Sequence, residues 1–314
     1  MARESYDIGL VIAGHGRHYV VETPEGREVL CHPRGKKSDA VVGDRVRWLP
    51  TNQHGDEGVI EALEPRRNLL YRQDEWRTKS FAANLDRLLV LVAAEPVFSE
   101  SQLTRALIAA EEAGIEVLIL LNKVDLVDAA RLARERLASY RAMGYEVLEV
   151  ALKSRAAAQE VARTHIDDAH RLLAERLGRG ATLVLGPSGT GKSTLVNLLV
   201  PEAAAQTGEI SSALNSGRHT TTHTRWYWLD EARQGALIDS PGFQEFGMHH
   251  IELTELARWM PDLRAHLGQC RFHNCTHIHE PGCAVRSALE RGEISPSRYR
   301  IYQELRQELG RPKW

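Results

Sequence analysis

Long hydrophobic runs are missing from this sequence of 314 residues. The longest apolar run, from Leu88 to Ala94, is far shorter than the roughly 20 residues that a helix needs to cross a bilayer. The first residues, Met1 to Ser5, contain no apolar stretch of the kind that a secretory signal peptide carries. We therefore expect no membrane-spanning segment and a cytoplasmic location.

An excess of charge is also missing, because 40 lysines and arginines nearly balance 42 aspartates and glutamates. With a formal net charge of −2 the chain is not basic throughout, so a nucleic-acid partner has to be met by a local basic patch. The apolar fraction of 43% excludes disorder as the dominant state. The length alone predicts about two domains, at roughly 150 residues each.

Cysteine is scarce, with four residues in the chain, and three of them fall between residues 270 and 283. In a chain without an export signal, such clustering indicates a metal site before disulfides. Reduced, unliganded thiols are the alternative. Four nitrogen or sulfur ligands complete the closed tetrahedral site that is typical of structural zinc. The candidate ligands are Cys270, Cys275 and Cys283, with His273, His277 or His279 as the fourth by spacing alone.

Strand-length apolar segments separated by turn residues fill the chain to about residue 65. Such spacing predicts a small β-barrel, and a five-stranded OB-like barrel fits the length. The segments begin at Ile8, His18, Glu28, Asp44 and Gly58.

From about residue 70 the pattern changes to an alternation of buried strands and amphipathic helices. This alternation predicts a parallel α/β sheet with right-handed crossovers. The expected strands are 88–92, 116–121, 146–150, 181–185 and 235–239, and the expected helices are 101–112, 128–143 and 164–177. Helical periodicity returns at 253–259 and 297–309.

A complete GxxxxGK[ST] motif stands between a predicted strand and a predicted helix. Its glycines let several backbone N–H groups surround one phosphate, and the helix N-terminus adds partial positive charge. We expect Lys192 to reach the β- and γ-phosphates and Ser193 to bind Mg²⁺. The nucleotide-binding residues are Gly186, Pro187, Ser188, Gly189, Thr190, Gly191, Lys192, Ser193 and Thr194.

An NKxD motif, made of Asn122, Lys123, Val124 and Asp125, directly follows another predicted strand. The Asp125 carboxylate can accept two hydrogen bonds from the edge of guanine, whereas adenine offers no such pair of donors. The aliphatic part of Lys123 can cover one face of the base. Together with the phosphate loop, this motif predicts a site for GTP.

Two further segments suit Mg²⁺ and the γ-phosphate. Asp239 and Gly242 form a DxxG pattern after a strand; Asp239 would hold Mg²⁺ through water, and the Gly242 N–H would face the γ-phosphate. The polar run Arg218 to Thr222 contains a threonine that could close over both groups, and Thr222 is our candidate. A solvated loop is the alternative for this run.

The order of these motifs is unusual. Ordinary GTPases carry the phosphate loop first, whereas here NKxD at residue 122 precedes the loop at residue 186. Circular permutation changes only where the chain is cut, so that the site itself can persist. The segment after Asp239 then leads directly into the Cys/His region, on which a nucleotide-driven switch would act.

These motifs together resemble the circularly permuted, small-ribosomal-subunit-dependent GTPases of the RsgA family, over nearly the whole chain. The resemblance is carried by 42–46, 83–86, 94–96, 122–126, 186–193, 217–222, 239–243 and the Cys/His cluster. It implies a circularly permuted P-loop GTPase domain of α/β class at 69–248. An N-terminal OB-fold RNA-binding barrel at 1–68 and a C-terminal zinc-binding helical domain at 249–314 would flank it.

The resemblance also implies GTP hydrolysis stimulated by the small ribosomal subunit, late in the maturation of that subunit. Mg²⁺, one structural zinc ion, rRNA and GTP or GDP are the implied cofactors and partners, and His277 is the favoured fourth zinc ligand. We expect a monomer. The alternative is an RNA-binding assembly module in which GTP is a ligand switch with negligible turnover. A P-loop kinase or metabolic ATPase is disfavoured by the NKxD motif.

Two positions depart from the pattern of GTPases. Ala151 stands where we expect the serine of the loop that supports guanine. Phe243 stands where many GTPases carry a glutamine that orients water, and a phenyl ring cannot do so by hydrogen bonding. The catalytic polar group must therefore come from elsewhere, with His219 as our candidate; Gln244 and the ribosome are alternatives.

Basic residues beside aromatics in the barrel region suit contacts with the RNA backbone and stacking on bases. A solvated charged face is the alternative, because acidic residues are interspersed. The stretches concerned are Arg17–Tyr19, Arg34–Lys37 and Arg45–Trp48, with Arg298, Arg300 and Arg306 near the C-terminus.

Overall fold

The computed structural model describes residues 6–35, 39–74, 77–153, 159–201, 203, 224–240, 248 and 250–311. Thirteen β-strands lie within these residues, together with several helices. None of the described helices combines the length and the apolarity that crossing a membrane requires.

Five strands in the N-terminal part close into a barrel: β1 (Asp7–His15), β2 (His18–Glu22), β3 (Glu28–Pro33), β4 (Arg45–Pro50) and β5 (Glu57–Leu63). They follow the order β1-β2-β3-β5-β4, and β4 pairs back onto β1. Only the β3–β5 pairing among these is parallel. The OB-like barrel expected from the strand spacing is confirmed.

A hairpin that the sequence patterns did not reveal follows the barrel, formed by β6 (Leu69–Asp74) and β7 (Arg77–Ala83). The Ala83 N–H donates to the Val42 carbonyl at 3.0 Å, and the Asn84 amide donates to the Gly43 carbonyl at 2.8 Å. Gly43 has a φ of +93°, and a Cβ there would lie 2.1 Å from the Ala83 oxygen. This glycine therefore permits the close packing of the barrel on the end of β7.

The second group of strands is β8 (Arg87–Ala93), β9 (Glu116–Asn122), β10 (Glu146–Val150), β11 (Gly180–Leu185), β12 (Arg225–Trp228) and β13 (Gly235–Asp239). The strands β10-β9-β8-β11-β13 are parallel, and β12 runs antiparallel to β13. Every residue of β8 and of β13 is buried, as expected for strands covered on both faces. On its other side β12 pairs with β1, so that the α/β sheet continues into the barrel.

Four helices cover the two faces of this sheet: α1 (Glu100–Ala113), α2 (Val127–Ala142), α3 (Gln159–Leu177) and α4 (Lys192–Leu199). Leu103 of α1 and Leu137 of α2 belong to one buried cluster, whereas Leu173 of α3 and Leu195 of α4 belong to another. Ser99 caps the N-terminus of α1, because its hydroxyl accepts the Gln102 N–H at 3.3 Å.

The C-terminal part contains a 3-10 turn (Leu256–Trp259), α5 (Pro261–Arg264), α6 (Ala284–Glu290) and α7 (Pro296–Leu309). The α-helix expected over 253–259 is wrong, since a short 3-10 turn takes its place. Pro261 has no N–H to continue a helix and instead occupies the first position of α5.

Arg298 of α7 connects the C-terminal part of the chain to helices α1 and α2, which cover the α/β sheet. It is 1% exposed, its guanidinium donates to the Asp262 carboxylate at 2.8 and 2.9 Å, and it donates to the Thr104 hydroxyl at 2.6 Å. The guanidinium also lies 5.4 Å from the centre of the Tyr140 ring. The expectation that Arg298 contacts RNA is wrong, because the residue is buried in an internal ion pair.

Candidate nucleotide site and metal centre

The phosphate loop connects the end of β11 to the start of α4. Gly189 and Gly191 have φ angles of +81° and +106°, which residues with a side chain rarely adopt. A Cβ on Gly191 would also lie 2.3 Å from the amide nitrogen of Asn122. Glycine therefore permits both the curl of the loop and its approach to the NKxD loop.

The loop is closed internally and leads straight into a helix. The Thr190 hydroxyl, on a residue 1% exposed, donates to the Pro187 carbonyl at 2.8 Å. Gly191 caps α4, whose first N–H groups have no intrahelical acceptors. Ser193 in the first turn is exposed. Loop and helix start together offer the N–H donors, partial positive charge and hydroxyl that a phosphate with Mg²⁺ requires.

Lys192 and Asp239 meet across the ends of the neighbouring strands β11 and β13. The ammonium donates to the Asp239 carboxylate at 2.8 Å and to the Ser240 carbonyl, and the two side chains are 10% and 7% exposed. The Ser240 hydroxyl donates to the Val184 carbonyl at 2.7 Å, which holds the end of β13 against β11. The cation expected at the phosphates and the carboxylate expected near Mg²⁺ therefore lie side by side.

Asn122 connects three loops with one side chain that is 3% exposed. Its amide nitrogen donates to the Thr190 carbonyl in the phosphate loop at 2.8 Å. Its amide oxygen accepts the N–H groups of Lys123 at 2.7 Å and of Leu152 at 3.0 Å. The base-recognition motif and the phosphate loop are thus in direct contact, although 68 residues separate the two partners along the chain.

Lys123 has a φ of +65° and donates from its ammonium to the Glu95 carbonyl at 2.6 Å. Its side chain thus runs toward the segment that follows β8. Asp125 is half-buried two residues further on. This geometry leaves the motif at the carboxyl edge of the parallel strands, where open α/β sheets bind ligands.

The segment after β10 lies against the same motif. The Val124 N–H donates to the Val150 carbonyl at 3.3 Å, and the Leu152 N–H reaches Asn122 as described. Ala151 between them is 5% exposed. The described start of the loop expected to support guanine is therefore beside NKxD, and Ala151 offers no hydroxyl there.

Several predicted site residues lie outside the described part of the chain, and their roles stay predictions: His219, Thr222, Gly242, Phe243 and Gln244.

A second cluster lies in the C-terminal part, where four ligand atoms fall within 4.8 Å of one another: those of Cys270, Cys275, His277 and Cys283. The Nδ1 atom of His277 is 3.6 Å from the Cys270 sulfur and 3.5 Å from the Cys283 sulfur. The other two histidines left open by spacing, His273 and His279, are exposed. The structure thus brings His277 to the three cysteines.

The donor set suits a metal ion. Burial lowers the pKa of His277, which favours the neutral imidazole that metals bind, and burial raises the pKa of the Cys275 thiol to about 12. A bound divalent cation would lower the pKa of the Cys275 thiol again, because it stabilises the thiolate. The Ala284 N–H donates to the Cys270 sulfur at 3.3 Å and provides an outer contact. Three sulfurs and one nitrogen in a closed group are ligands of structural zinc.

The residues that support this cluster were missed by sequence reasoning. Glu280 accepts hydrogen bonds from the Thr276 hydroxyl at 2.6 Å and the Thr276 N–H at 2.8 Å, which lower its pKa well below the ordinary value. The Tyr299 hydroxyl donates to the His277 carbonyl at 2.6 Å, and the Tyr302 hydroxyl donates to the Thr276 carbonyl at 2.8 Å. The available signal was the three-residue spacing of the tyrosines, which puts both on one helix face.

The barrel surface carries cations without the expected aromatics. Tyr19 and Trp48 are only 6% and 1% exposed because they fill the barrel core. The expectation that they stack on bases is therefore wrong. The described arginines of the predicted basic stretches are exposed: Arg17, Arg34, Arg45 and Arg47. Arg34 and Arg47 form ion pairs within the barrel, with Glu61 and Glu64.

Comparisons with known proteins agree with this geometry. A model of the RsgA GTPase family matches residues 63–249. The small ribosomal subunit biogenesis GTPase RsgA of Variovorax paradoxus is 58% identical over 310 residues, covering 98% of this chain and 93% of the relative. The protein of the same name from Burkholderia pseudomallei is 54% identical over 298 residues, covering 95% and 90%.

Two solved structures share the architecture. YjeQ from Thermotoga maritima matches with a TM-score of 0.72 and 30% identity, covering 98% of this chain and all of the other. YloQ, described as a circularly permuted GTPase, matches with a TM-score of 0.70 and 26% identity over 100% of this chain and 99% of the other. With NKxD ahead of the phosphate loop in one continuous sheet, and with relatives of this identity and coverage, the chain belongs to the RsgA family of circularly permuted GTPases.

Proposed function

We propose that this GTPase binds immature small ribosomal subunits and hydrolyses GTP late in their maturation. The names of the relatives from Variovorax paradoxus and Burkholderia pseudomallei support the partner. The observation that carries the nucleotide site is the contact of Asn122 with Thr190, because one buried side chain holds the base-recognition loop against the phosphate loop.

In the proposed site, Asp125 selects guanine and the phosphate loop with Thr194 surrounds the phosphates. Lys192 leaves Asp239 to reach the β- and γ-phosphates. Ser193 and Thr222 would bind Mg²⁺ directly, and Asp239 would bind it through water. Mg²⁺, when bound, neutralises charge that develops between the phosphates.

For the hydrolytic step, we assign His219 as the group that orients water and the Gly242 N–H as a donor to the γ-phosphate. Phe243 follows the DxxG motif where many GTPases carry glutamine, so we expect slow turnover by the isolated protein. His219→Ala should abolish most of the subunit-stimulated rate. A variant with unchanged stimulated hydrolysis would remove His219 from the mechanism.

The Cys/His cluster holds one zinc ion in this proposal: Cys270, Cys275, His277 and Cys283. Four protein ligands leave no open position, so the ion is structural. We take residues 249–314 as the zinc-binding helical domain, 69–248 as the GTPase domain and 1–68 as the RNA-binding barrel.

The exposed arginines of the barrel, Arg17 and Arg45 among them, would contact the phosphate backbone of rRNA. Such contacts release counterions, so that subunit binding should weaken steeply as salt rises. The protein would act as a monomer in the cytoplasm.

Measuring phosphate release from GTP with and without small subunits tests the proposal. We expect clear stimulation by subunits and little competition from ATP for labelled GTP. The alternative, an RNA-binding module with negligible turnover, is not favoured because the family consists of GTPases. Absence of turnover at saturating subunits would overturn the proposal in favour of that alternative, and ATP displacing GTP equally well would overturn guanine selectivity.

A further inference from the structure

Besides the pairing of β12 with β1 and the contact of Arg225 with Glu28, the hairpin formed by β12 and β13 contacts the barrel through a carboxylate with little access to water. Glu22, the last residue of β2, has a side chain that is 10% exposed. It accepts the indole N–H of Trp228 at 3.0 and 3.2 Å, and one of its oxygens lies 3.2 Å from the Arg233 guanidinium. Both donors come from the hairpin, and the acceptor comes from the barrel.

The turn between β12 and β13 also packs against the turn between β2 and β3. The Arg233 guanidinium lies 5.9 Å from the centre of the Trp228 ring and packs on Gly26 in the turn between β2 and β3. A Cβ on Gly26 would lie 2.0 Å from the guanidinium nitrogen, so the glycine leaves room for the arginine in this position. Asp230 steadies the hairpin turn by accepting the Gly235 N–H at 3.4 Å. The contact therefore joins the turn of the β12–β13 hairpin to the β2–β3 turn of the barrel.

The same hairpin reaches the nucleotide site at its other end. In the register of β12 with β13, Trp228 pairs with Ala236 and Arg225 pairs with Asp239. Ala236 and Asp239 are three residues apart on a fully buried strand, about 10 Å at roughly 3.3 Å per residue. Asp239 accepts the hydrogen bond of Lys192. A continuous set of contacts thus runs from the phosphate-loop lysine to the barrel.

We infer that Glu22, Trp228 and Arg233 are positioning residues that couple the nucleotide site to the barrel. When GTP and Mg²⁺ bind, Lys192 engages phosphates, so that its pair with Asp239 is replaced. The change at the end of β13 passes through β12 to Glu22 and reorients the barrel. Because coupling is reciprocal, a partner bound to the barrel acts on Asp239 through the same contacts. This inference rests on the proposed function for the identity of that partner.

Two variants break the contact in different ways. Glu22→Ala removes the shared acceptor, and Trp228→Phe keeps a ring but removes the indole N–H. Glu61→Ala is the matched control in the barrel, because its carboxylate is 12% exposed and pairs with Arg34 instead. Trp226→Phe is the matched control in β12, since its indole nitrogen has no acceptor among the residues that the structure describes.

The first readout is amide hydrogen exchange of the full-length protein with GDP and with a non-hydrolysable GTP analogue. We expect the two nucleotides to give different exchange at residues 22–28 in the wild type and in both controls. We expect that difference to vanish in Glu22→Ala and Trp228→Phe. This readout needs no ribosomal subunits, so it tests the coupling independently of the proposed partner. Wild-type exchange that is identical in the two states would overturn the inference.

The second readout is GTP hydrolysis with and without small subunits. In the two variants we expect the stimulated kcat to fall by at least about fivefold, the lower end of typical coupling, with basal hydrolysis and GDP affinity preserved. Folded variants with wild-type stimulation, or controls that lose as much as the variants, would overturn the inference. A wild type without any stimulation would instead overturn the proposed function.

Discussion

Replacement of Asn122 by alanine tests the central contact of the nucleotide site. The side chain makes three hydrogen bonds, to the Thr190 carbonyl at 2.8 Å, the Lys123 N–H at 2.7 Å and the Leu152 N–H at 3.0 Å. Alanine leaves two buried groups, the carbonyl of Thr190 and the N–H of Leu152, without partners. Each costs about 1–3 kcal/mol, so the expected loss is about 2–6 kcal/mol.

The loss should appear mainly as weaker nucleotide binding, because the loops can relax when the site is empty and must be rebuilt around GDP. Since 1.4 kcal/mol corresponds to a factor of about ten, the Kd for GDP should rise about 30-fold or more. A titration with a fluorescent GDP analogue measures this value. Asn122→Asp keeps an acceptor oxygen but buries a carboxylate whose second oxygen faces the Thr190 carbonyl, so we expect a Kd at least as high as that of Asn122→Ala.

The control is Asn274→Ala, at an exposed asparagine, which should bind GDP like the wild type. A folded Asn122→Ala variant whose Kd for GDP stays within about threefold of the wild type would contradict the reasoning, because that is under 1 kcal/mol.

Three further predictions concern the C-terminal part. Arg298→Met leaves the Asp262 carboxylate, which is 7% exposed, without its buried partner. The free energy of unfolding, measured with urea and tryptophan fluorescence, should fall by about 3–5 kcal/mol. The double variant Arg298→Met/Asp262→Leu should recover this loss, because it buries no unpaired charge. A loss below about 1 kcal/mol would speak against a buried pair. The hydrogen bond from the Thr276 hydroxyl lowers the pKa of Glu280 from its ordinary value of 4.5, so its stabilisation is present above that pH and disappears as pH falls. Thr276→Val raises this pKa, and acid unfolding monitored by circular dichroism should begin at higher pH; an unchanged midpoint would refute the assignment. Chelation of zinc, or His277→Ala, should lower the melting temperature of the C-terminal helices while GDP binding persists, and unchanged melting after metal removal would exclude a structural ion.

Apolar periodicity predicted most of the described strands, and the ranges 146–150 and 235–239 agree with β10 and β13 residue by residue. It failed for β12, which has four residues, too few for a period to emerge. It also failed for the β6–β7 hairpin, whose sequence mixes charged and apolar residues. The predicted exposure of Tyr19 and Trp48 on the barrel surface was wrong. Which face of a strand is buried is hard to predict, because a one-residue shift of the strand exchanges its two faces.

The sequence motifs were sufficient to predict a guanine-nucleotide site, its permuted order along the chain and a cluster of metal ligands. Each of these signals is local: a few residue types at fixed spacing, whose chemistry does not depend on the rest of the fold. The partners of those motifs required the tertiary structure. Glu22 meets Trp228 across 206 residues, and Arg298 meets Thr104 across 194. Such contacts depend on how the barrel, sheet and helices pack, and packing of distant segments leaves no spacing in the sequence from which it could be inferred.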